Sequence, residues 1–173
     1  MNKKYKLLTE ESIEHYGHKL FRIEALVDLP KIGVKVGDKG GFIEFENNLD
    51  AEIFGNAWIF GDARIFGNAR IFGDARIFGN AWISGNAWIS GNARISGNAR
   101  IFGNARIFGD AEISGNAWIS GDAEIFGDAR IFGNAEISGK LKCETGYYFA
   151  YKRKEWKVEE IELDDDSVVL WRK

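Results

Sequence analysis

The chain has 173 residues, a formal net charge of −3, 45% hydrophobic residues and 28% charged residues, which is typical of one soluble domain with small additions. This charge argues against a strongly basic nucleic-acid-binding surface and against an acidic mimic of DNA. The only cysteine, Cys143, excludes an internal disulfide and favours a reducing, cytoplasmic compartment. Basic residues near the start are not followed by an apolar segment, and no window approaches 18 apolar residues. We therefore expect neither a signal peptide nor a transmembrane span.

Residues 1–50 do not repeat, and we predict a small β-rich cap with a lead-in segment. Residues 5–8 are typical of a short strand, and the loose alternation over residues 19–29 is typical of a half-buried strand. His15 and His18 flank the predicted turn between these strands. We interpret both as surface residues, because a metal site would need more ligands than this segment offers.

Residues 51–139 repeat one six-residue phrase, Ala-X-Ile-(Phe/Ser)-Gly-(Asn/Asp), fifteen times without interruption. A glycine in every repeat disfavours a helix, whereas strand alternation places Ala and Ile on one side and X with Phe/Ser on the other. Gly-Asn and Gly-Asp are typical of a corner. Three such sides close a triangular coil of eighteen residues, so fifteen repeats predict five coils, roughly 24 Å tall. Ile and Ala fill the interior, and both ends need a cap.

After Gly139 the phrase decays, with Leu141 in an alanine position and Cys143 in an isoleucine position. Cys143 is therefore predicted to be a buried small hydrophobe and not a nucleophile. Three segments, 147–151, 156–163 and 168–171, are predicted to form a three-stranded antiparallel sheet. The predicted domain organisation is a β cap over residues 1–50, a solenoid over 51–142 and an antiparallel β cap over 143–173.

The Ile-(Phe/Ser)-Gly-(Asn/Asp)-Ala-X phrase resembles the hexapeptide-repeat superfamily. The resemblance implies an all-β, left-handed parallel β-helix with three hexapeptides per coil, and the left hand comes from this resemblance alone. Residues 34–43, VKVGDKGGFI, are also similar to the lead-in of bacterial and phage-associated hexapeptide proteins described as transferase-like, for which no firm role is implied.

Many members of that superfamily are acyltransferases, which need a histidine base and a groove between prisms, often with a loop extruded from one coil. This chain has no histidine and no loop insertion in the repeat block. We therefore predict no catalytic residue, no cofactor and no metal. An acyltransferase-like enzyme with its site at a subunit groove remains the alternative prediction.

The variable X positions stack in three columns, because each coil has eighteen residues. The first column is Glu52, Arg70, Trp88, Arg106, Glu124; the second is Trp58, Arg76, Arg94, Glu112, Arg130; the third is Arg64, Trp82, Arg100, Trp118, Glu136. Neighbours in a column are about 4.8 Å apart, which permits ion pairs and alternating Arg–Trp stacks. One interpretation is that these columns only solvate the surface. The other is that they form interaction faces, whose candidate residues are Arg70, Trp88, Arg106, Phe72 and Phe108, then Arg64, Trp82, Arg100, Trp118, Phe66 and Phe102, and finally Trp58 and Phe60.

A size rule links each X position to the Phe/Ser position two residues later. Three of four tryptophans are followed by serine, and six of seven arginines by phenylalanine, with Arg94 and Ser96 as the exception. Nine phenylalanines in outward positions predict an apolar contact surface. We therefore predict a non-catalytic binding or assembly module that forms a homo-oligomer, with a trimer favoured, or docks on a protein partner. A phage-derived inhibitor would suit this shape. Nucleic acid is the weaker prediction, because corner aspartates oppose a phosphate track.

Overall fold

We describe a computed structural model of the chain over residues 3–50, 55–150, 158–162 and 168–172. The first three strands precede the repeats: β1 Tyr5–His15, β2 His18–Ala25 and β3 Lys39–Ile43. The helical elements in this part of the chain are two single 3-10 turns, Pro30–Ile32 and Glu46–Asn48. The architecture is therefore all-β, as predicted.

Each described repeat contributes one short strand centred on its X-Ile pair. In chain order these are β4 Trp58–Ile59, β5 Arg64–Ile65, β6 Arg70–Ile71, β7 Arg76–Ile77, β8 Trp82–Ile83, β9 Trp88–Ile89, β10 Arg94–Ile95, β11 Arg100–Ile101, β12 Arg106–Ile107, β13 Glu112–Ile113, β14 Trp118–Ile119, β15 Glu124–Ile125, β16 Arg130–Gly133 and β17 Glu136–Ile137. Two more strands continue the coil, β18 Lys142–Cys143 and β19 Tyr147–Ala150. The last two are β20 Val158–Glu162 and β21 Val168–Arg172.

Parallel pairing assembles three sheets, which are the three faces of a prism, and successive repeat strands in each face are eighteen residues apart. The first face is β6-β9-β12-β15-β18, the second is β4-β7-β10-β13-β16-β19, and the third is β3-β5-β8-β11-β14-β17. Isoleucine pairs with isoleucine at each repeat step, as in Ile83 with Ile101. The parallel β-solenoid predicted from the repeats is confirmed. It extends the predicted five coils to about six, because β3 and β19 add strands at opposite ends. The left-handed sense stays a prediction from the resemblance.

The interior of the prism is dry and uniform. Every repeat alanine from Ala57 to Ala129 and every isoleucine from Ile59 to Ile131 is at most 1% exposed. Backbone N–H groups donate to the next coil at both ends of each strand, as from Trp82 to Ala99 O at 2.9 Å and from Ser84 to Ile101 O at 2.9 Å. Burial of the aliphatic columns and the hydrogen bonds between coils together stabilise the stack.

At each corner the glycine adopts the turn conformation and the residue that follows it forms side-chain hydrogen bonds. Glycines from Gly61 to Gly133 have φ between +59° and +74°, a region that favours glycine. The following Asn or Asp does not share this conformation; its side chain joins a ladder along the corner instead. Asn86 Nδ2 donates to Asn104 Oδ1 at 3.0 Å, and Asn104 Nδ2 donates to Asp122 Oδ1 at 2.8 Å. The corners predicted at Gly-Asn and Gly-Asp are therefore confirmed, with the left-handed conformation at the glycine alone.

The β1–β2 hairpin lies at the lower end of the third face, where β2 pairs antiparallel with β3. Arg22 fixes it there: Nη1 donates to Gly40 O at 2.9 Å, Nη2 lies 3.2 Å from Asp62 Oδ1, and the guanidinium lies over the Phe42 ring. The hairpin thus covers the sheet edge at which the parallel stack begins.

At the other end, the predicted three-stranded antiparallel sheet is only partly correct. Tyr147–Ala150 pairs in parallel with β16, so this segment continues the second face of the solenoid. β20 and β21 do pair antiparallel, with Ile161 opposite Val169. Trp156 and Lys157, predicted to begin the middle strand, lie outside the described residues. Cys143 is 4% exposed, which confirms its predicted burial, and burial raises the pKa of its thiol to about 11. The predicted domain boundaries stay a prediction.

Candidate functional site

The third face carries a continuous stack of alternating cations and aromatic rings. Parallel register places Arg64, Trp82, Arg100 and Trp118 in one row. The Arg100 guanidinium carbon lies 4.6 Å from the centre of the Trp82 ring and 5.6 Å from that of Trp118. Arg64 lies 5.7 Å from the Trp82 ring on its other side. Trp118 is 42% exposed, so the upper end of this stack is accessible.

The lower end of the same stack is covered by the tip of the N-terminal hairpin. The His15 ring lies 4.3 Å from the Trp82 ring and 5.5 Å from that of Phe66, in edge-to-face geometry. Tyr16 also contacts Trp82, and His18 contacts Phe66. The interpretation of both histidines as simple surface residues is therefore incomplete. Nothing in the sequence links them to Phe66 or Trp82, which lie far along the chain.

The hairpin tip also holds a histidine–carboxylate pair that the sequence analysis missed. His18 Nδ1 lies 2.9 Å from Glu44 Oε1, and Glu44 Oε2 accepts the backbone N–H of Gly67 at 2.8 Å. His15 lacks a hydrogen-bond partner at Nε2, and desolvation lowers its pKa, with further contributions from the positive charges of Arg64 and His18. The tip is thus fixed by ring packing together with one directed polar contact.

The first face exposes two aromatic rings of the repeats. Trp88 is 48% exposed and Phe108 is 38% exposed. Arg70 and Arg106 are in register with Trp88, but within the described residues neither guanidinium makes a cation–aromatic contact with it. The Trp88 ring packs edge-on against Phe72 instead, at 5.3 Å between centres. The alternating stack predicted for this column is therefore not formed.

Two further features shape the first face. Phe108 stacks on Phe126 with centres 5.1 Å apart. Glu124 lies 4.0 Å from Arg106 and 3.3 Å from Lys142, which neutralises part of the column. Below Trp88 is a groove of about 490 Å³ lined by Glu46, Asn47, Leu49, Asp50, Arg70, Ile71, Phe72 and Trp88.

The second face differs from the other two in its charge and in its lowest ring. Trp58 is 1% exposed and belongs to the same buried cluster as Leu29 and Val34 of the lead-in segment. Its predicted role as a surface anchor does not fit this burial. Phe60 is half-buried and stacks on Phe78 with centres 4.6 Å apart. Above them the face carries an ion-pair ladder, in which Glu112 lies 3.6 Å from Arg94 and 3.7 Å from Arg130.

The outward phenylalanines bury part of their surface against neighbouring rings. Eight of the nine lie in the described part of the chain, and Phe108 is the one classed as exposed among them. The remainder are half-buried, because each ring packs along its column. In the described repeats the exposed rings are Trp88, Phe108 and Trp118, and Tyr147 is 66% exposed at the upper end of the second face.

Within the described residues, no group of three or more His, Cys, Asp or Glu side chains could hold a metal ion. In the same part of the chain no helix is long and apolar enough to cross a membrane. The arrangement that the structure does offer is a rigid array of Arg and Trp side chains on two adjoining faces.

The fold and these faces define a parallel β-solenoid repeat protein. A family model described as the YdcK beta solenoid repeat matches five overlapping segments of the chain, residues 63–76, 69–85, 75–91, 87–101 and 93–107. No curated protein matches the sequence. The matched segments lie inside the repeat block and support a β-solenoid repeat protein. Similarity to the hexapeptide-repeat superfamily and to transferase-like proteins stays a prediction.

Proposed function

We propose that this protein is a non-catalytic assembly module whose first and third faces contact other protein surfaces. The observation that carries this proposal is the presence of exposed tryptophans, Trp88 and Trp118, on two neighbouring faces of one rigid prism. Tryptophan and arginine supply most of the binding energy at many protein interfaces. Exposed apolar patches on repeat faces commonly mark such contacts.

The solenoid holds these side chains in an ordered arrangement, so binding a partner would remove little of their conformational entropy. The X residues sit on strands whose backbone groups are hydrogen-bonded to the coil above and below. Arg100 is held between Trp82 and Trp118. Immobilising side chains opposes association, so a surface that is already ordered binds at a smaller entropic cost.

We infer that the partner is a second copy of this chain, and that three copies close a ring. A threefold ring uses two different patches on each copy, because its interfaces are heterologous. The first and third faces supply two different patches, one with Trp88 and Phe108 and the other with Arg100 and Trp118. The second face, with its paired charges, is left to solvent in this arrangement. Docking on a different protein, including the host target of a phage-derived inhibitor, is the competing outcome.

Cross-linking between introduced cysteines tests which faces meet. In a Cys143→Ala background, Ser90→Cys places a thiol on the first face and Ser120→Cys places one on the third. We expect mixed Ser90→Cys and Ser120→Cys samples to form an intermolecular disulfide faster than either variant alone. Ser96→Cys on the second face is the matched control and is expected to form no intermolecular disulfide under oxidation. Cross-linking of each variant mainly with itself would contradict the heterologous ring.

One observation favours a second candidate, the acyltransferase-like enzyme. Glu44 orients His18 through Nδ1, as a carboxylate orients a general base. This candidate requires an acyl-CoA to bind near the hairpin tip. Calorimetric titration with acetyl-CoA and a hydrolysis assay on wild type and His18→Gln separate the two functions. Binding or turnover that is lost in His18→Gln would support the enzyme, whereas no heat and no turnover would remove it.

A further inference from the structure

The column of outward rings on the second face has a gap. From the lower end its members are Phe60, Phe78, Ser96, Ser114 and Phe132. Phe60 and Phe78 are stacked with parallel planes, 6° apart. The next two coils carry serine, so two successive positions, spaced by about 4.8 Å, hold no ring. The stack therefore stops at Phe78, which keeps one ring face turned towards the gap.

Three of the four serines at this position on the other faces accompany a bulky X residue, and Ser138 with Glu136 is the exception. On the other faces a tryptophan stands two residues before serine in the pairs Trp82/Ser84, Trp88/Ser90 and Trp118/Ser120. In the second face the partners of Ser96 and Ser114 are Arg94 and Glu112, which pair with each other and not with the gap. A groove of about 490 Å³ results, lined by Arg76, Phe78, Arg94, Ser96, Glu112, Ile113 and Ser114.

Positive charge is concentrated at the Phe78 end of this groove. In the part of the chain that the structure describes, no carboxylate lies within ion-pair distance of Arg76. Arg94 and Arg130 share the single carboxylate of Glu112, at 3.6 Å and 3.7 Å. The carboxylates of Asp110 and Asp128 lie at a corner and line a different, adjoining groove together with Arg94. That groove is on the other side of the X column from Ser96 and Ser114. Arg76 interacts with the charge of Asp74 without forming an ion pair, so it is the guanidinium of this groove that is available to a ligand.

We propose that this groove binds a planar aromatic ring that carries a carboxylate or a phosphate. The ring lies on the outer face of Phe78 and continues the Phe60–Phe78 stack, because parallel aromatic rings attract at this spacing. The anion lies against Arg76, with Arg94 as the second donor, since guanidinium forks match both carboxylate and phosphate. The hydroxyls of Ser96 and Ser114 donate to the ligand from the floor. This site is independent of the proposed function, because it uses the second face.

Binding is tested with three naphthalene probes and one non-aromatic carboxylate. 2-Naphthoate and 2-naphthyl phosphate carry the two anions, 2-naphthalenemethanol carries none, and cyclohexanecarboxylate lacks the aromatic ring. The readout is the chemical-shift change of backbone amides in ¹H–¹⁵N spectra of the full chain. We expect at least one anionic naphthalene to bind with a dissociation constant on the order of 0.1 mM, shifting the amides of Phe78, Ser96 and Ser114. The tighter of the two anions identifies the source of the negative charge.

Variants that use residues already found in these slots keep the fold. Ser96→Phe with Ser114→Phe fills the groove as phenylalanine does in other coils, and is expected to weaken binding about tenfold or more. Phe78→Ser removes the stacking wall, and Arg76→Glu reverses the charge; both are expected to weaken binding similarly. Ser138→Phe, on the third face, is the matched control and leaves binding unchanged.

Four outcomes would overturn the proposal. The first two are that neither anion shifts any amide up to its solubility limit, or that the shifts are confined to other faces. The third is that a control probe binds as tightly as an anionic naphthalene. The fourth is that the affinity is unchanged in the variant with Ser96→Phe and Ser114→Phe. Unaltered circular dichroism of each variant shows that a loss of binding is not a loss of fold.

Discussion

Arg100 lies between two indole rings, with its guanidinium carbon 4.6 Å from the centre of Trp82 and 5.6 Å from that of Trp118. Because these residues are eighteen apart, their spacing is fixed by the backbone ladder of the third face and not by side-chain flexibility. The same arrangement serves two purposes. It disperses the charge of a densely packed column, and it presents the exposed edge of Trp118 in a fixed orientation.

The Arg100–Trp82 contact predicts a measurable coupling energy. A double-mutant cycle with Arg100→Ala and Trp82→Ala, followed by urea unfolding, is expected to give a favourable coupling of about 0.5–1 kcal/mol. The matched cycle uses Arg106→Ala and Trp88→Ala on the first face, where no such contact forms. Its coupling is expected to be close to zero. Equal coupling energies in the two cycles would show that the observed stack contributes nothing specific.

The stacked corners predict very different costs for two glycine substitutions. Gly91 and Gly139 have similar φ angles, +66° and +70°. A Cβ at Gly91 would lie 2.7 Å from the backbone N of Gly109, whereas a Cβ at Gly139 would meet nothing within 4 Å. Gly139→Ala is therefore expected to cost about 1 kcal/mol, for the left-handed conformation alone. Gly91→Ala adds steric overlap and is expected to cost about 3 kcal/mol or more. Similar unfolding free energies for both variants would contradict this account of the corners.

The asparagine ladder predicts that substitutions at Asn86 lower stability according to whether they remove a hydrogen-bond donor, an acceptor or both. Asn86 accepts from Asn68 Nδ2 at 3.2 Å and donates to Asn104 Oδ1 at 3.0 Å. Asn86→Ala removes both contacts at an exposed corner and is expected to cost about 1 kcal/mol. Asn86→Asp keeps the acceptor but loses the donor, so its cost is expected to be smaller at acidic pH, where the carboxyl can donate. Urea titrations of both variants at neutral and acidic pH measure the difference. A pH-independent cost for Asn86→Asp, relative to wild type, would be inconsistent with the ladder.

His15 predicts a loss of stability in mild acid. Its pKa is lowered from 6.5 by desolvation and then by Arg64 and His18, so the unfolded chain takes up the proton first as pH falls. The contribution of neutral His15 to the free energy of unfolding is therefore fully present above about pH 7. It decreases as pH drops through 6.5 towards the lowered pKa. His15→Phe keeps a ring against Trp82 and is expected to flatten the dependence between about pH 7 and pH 5. The measurement is the thermal midpoint over this range, and a variant slope equal to that of wild type would rule out His15 as the cause.

Much of the solenoid could be predicted because one physical constraint repeats. The six-residue spacing of Ile59, Ile65 and their successors defines the strands, the buried side and the eighteen-residue register. The contacts of Arg100 with Trp82 and Trp118 follow from that register. Such inferences need only local alternation and a constant coil length.

The remaining features depend on contacts that do not repeat. His15 packs against Trp82, and Trp58 is buried in the cluster that includes Leu29, yet no pattern connects these positions. Tyr147–Ala150 alternates as any strand does, and alternation does not distinguish a parallel neighbour from an antiparallel one. The groove at Ser96 was visible in the sequence only as an exception to the size rule, and its volume required the structure.

The central claim, that the first and third faces join copies of this chain into a closed ring, is tested most directly by the mass in solution. Multi-angle light scattering after gel filtration is expected to give about three times the 19.5 kDa of one chain. Trp118→Glu introduces a residue that other X positions already carry, and it is expected to reduce this mass to that of one chain while the circular dichroism spectrum stays that of the folded solenoid. A wild-type mass equal to one chain at every concentration examined would contradict the claim.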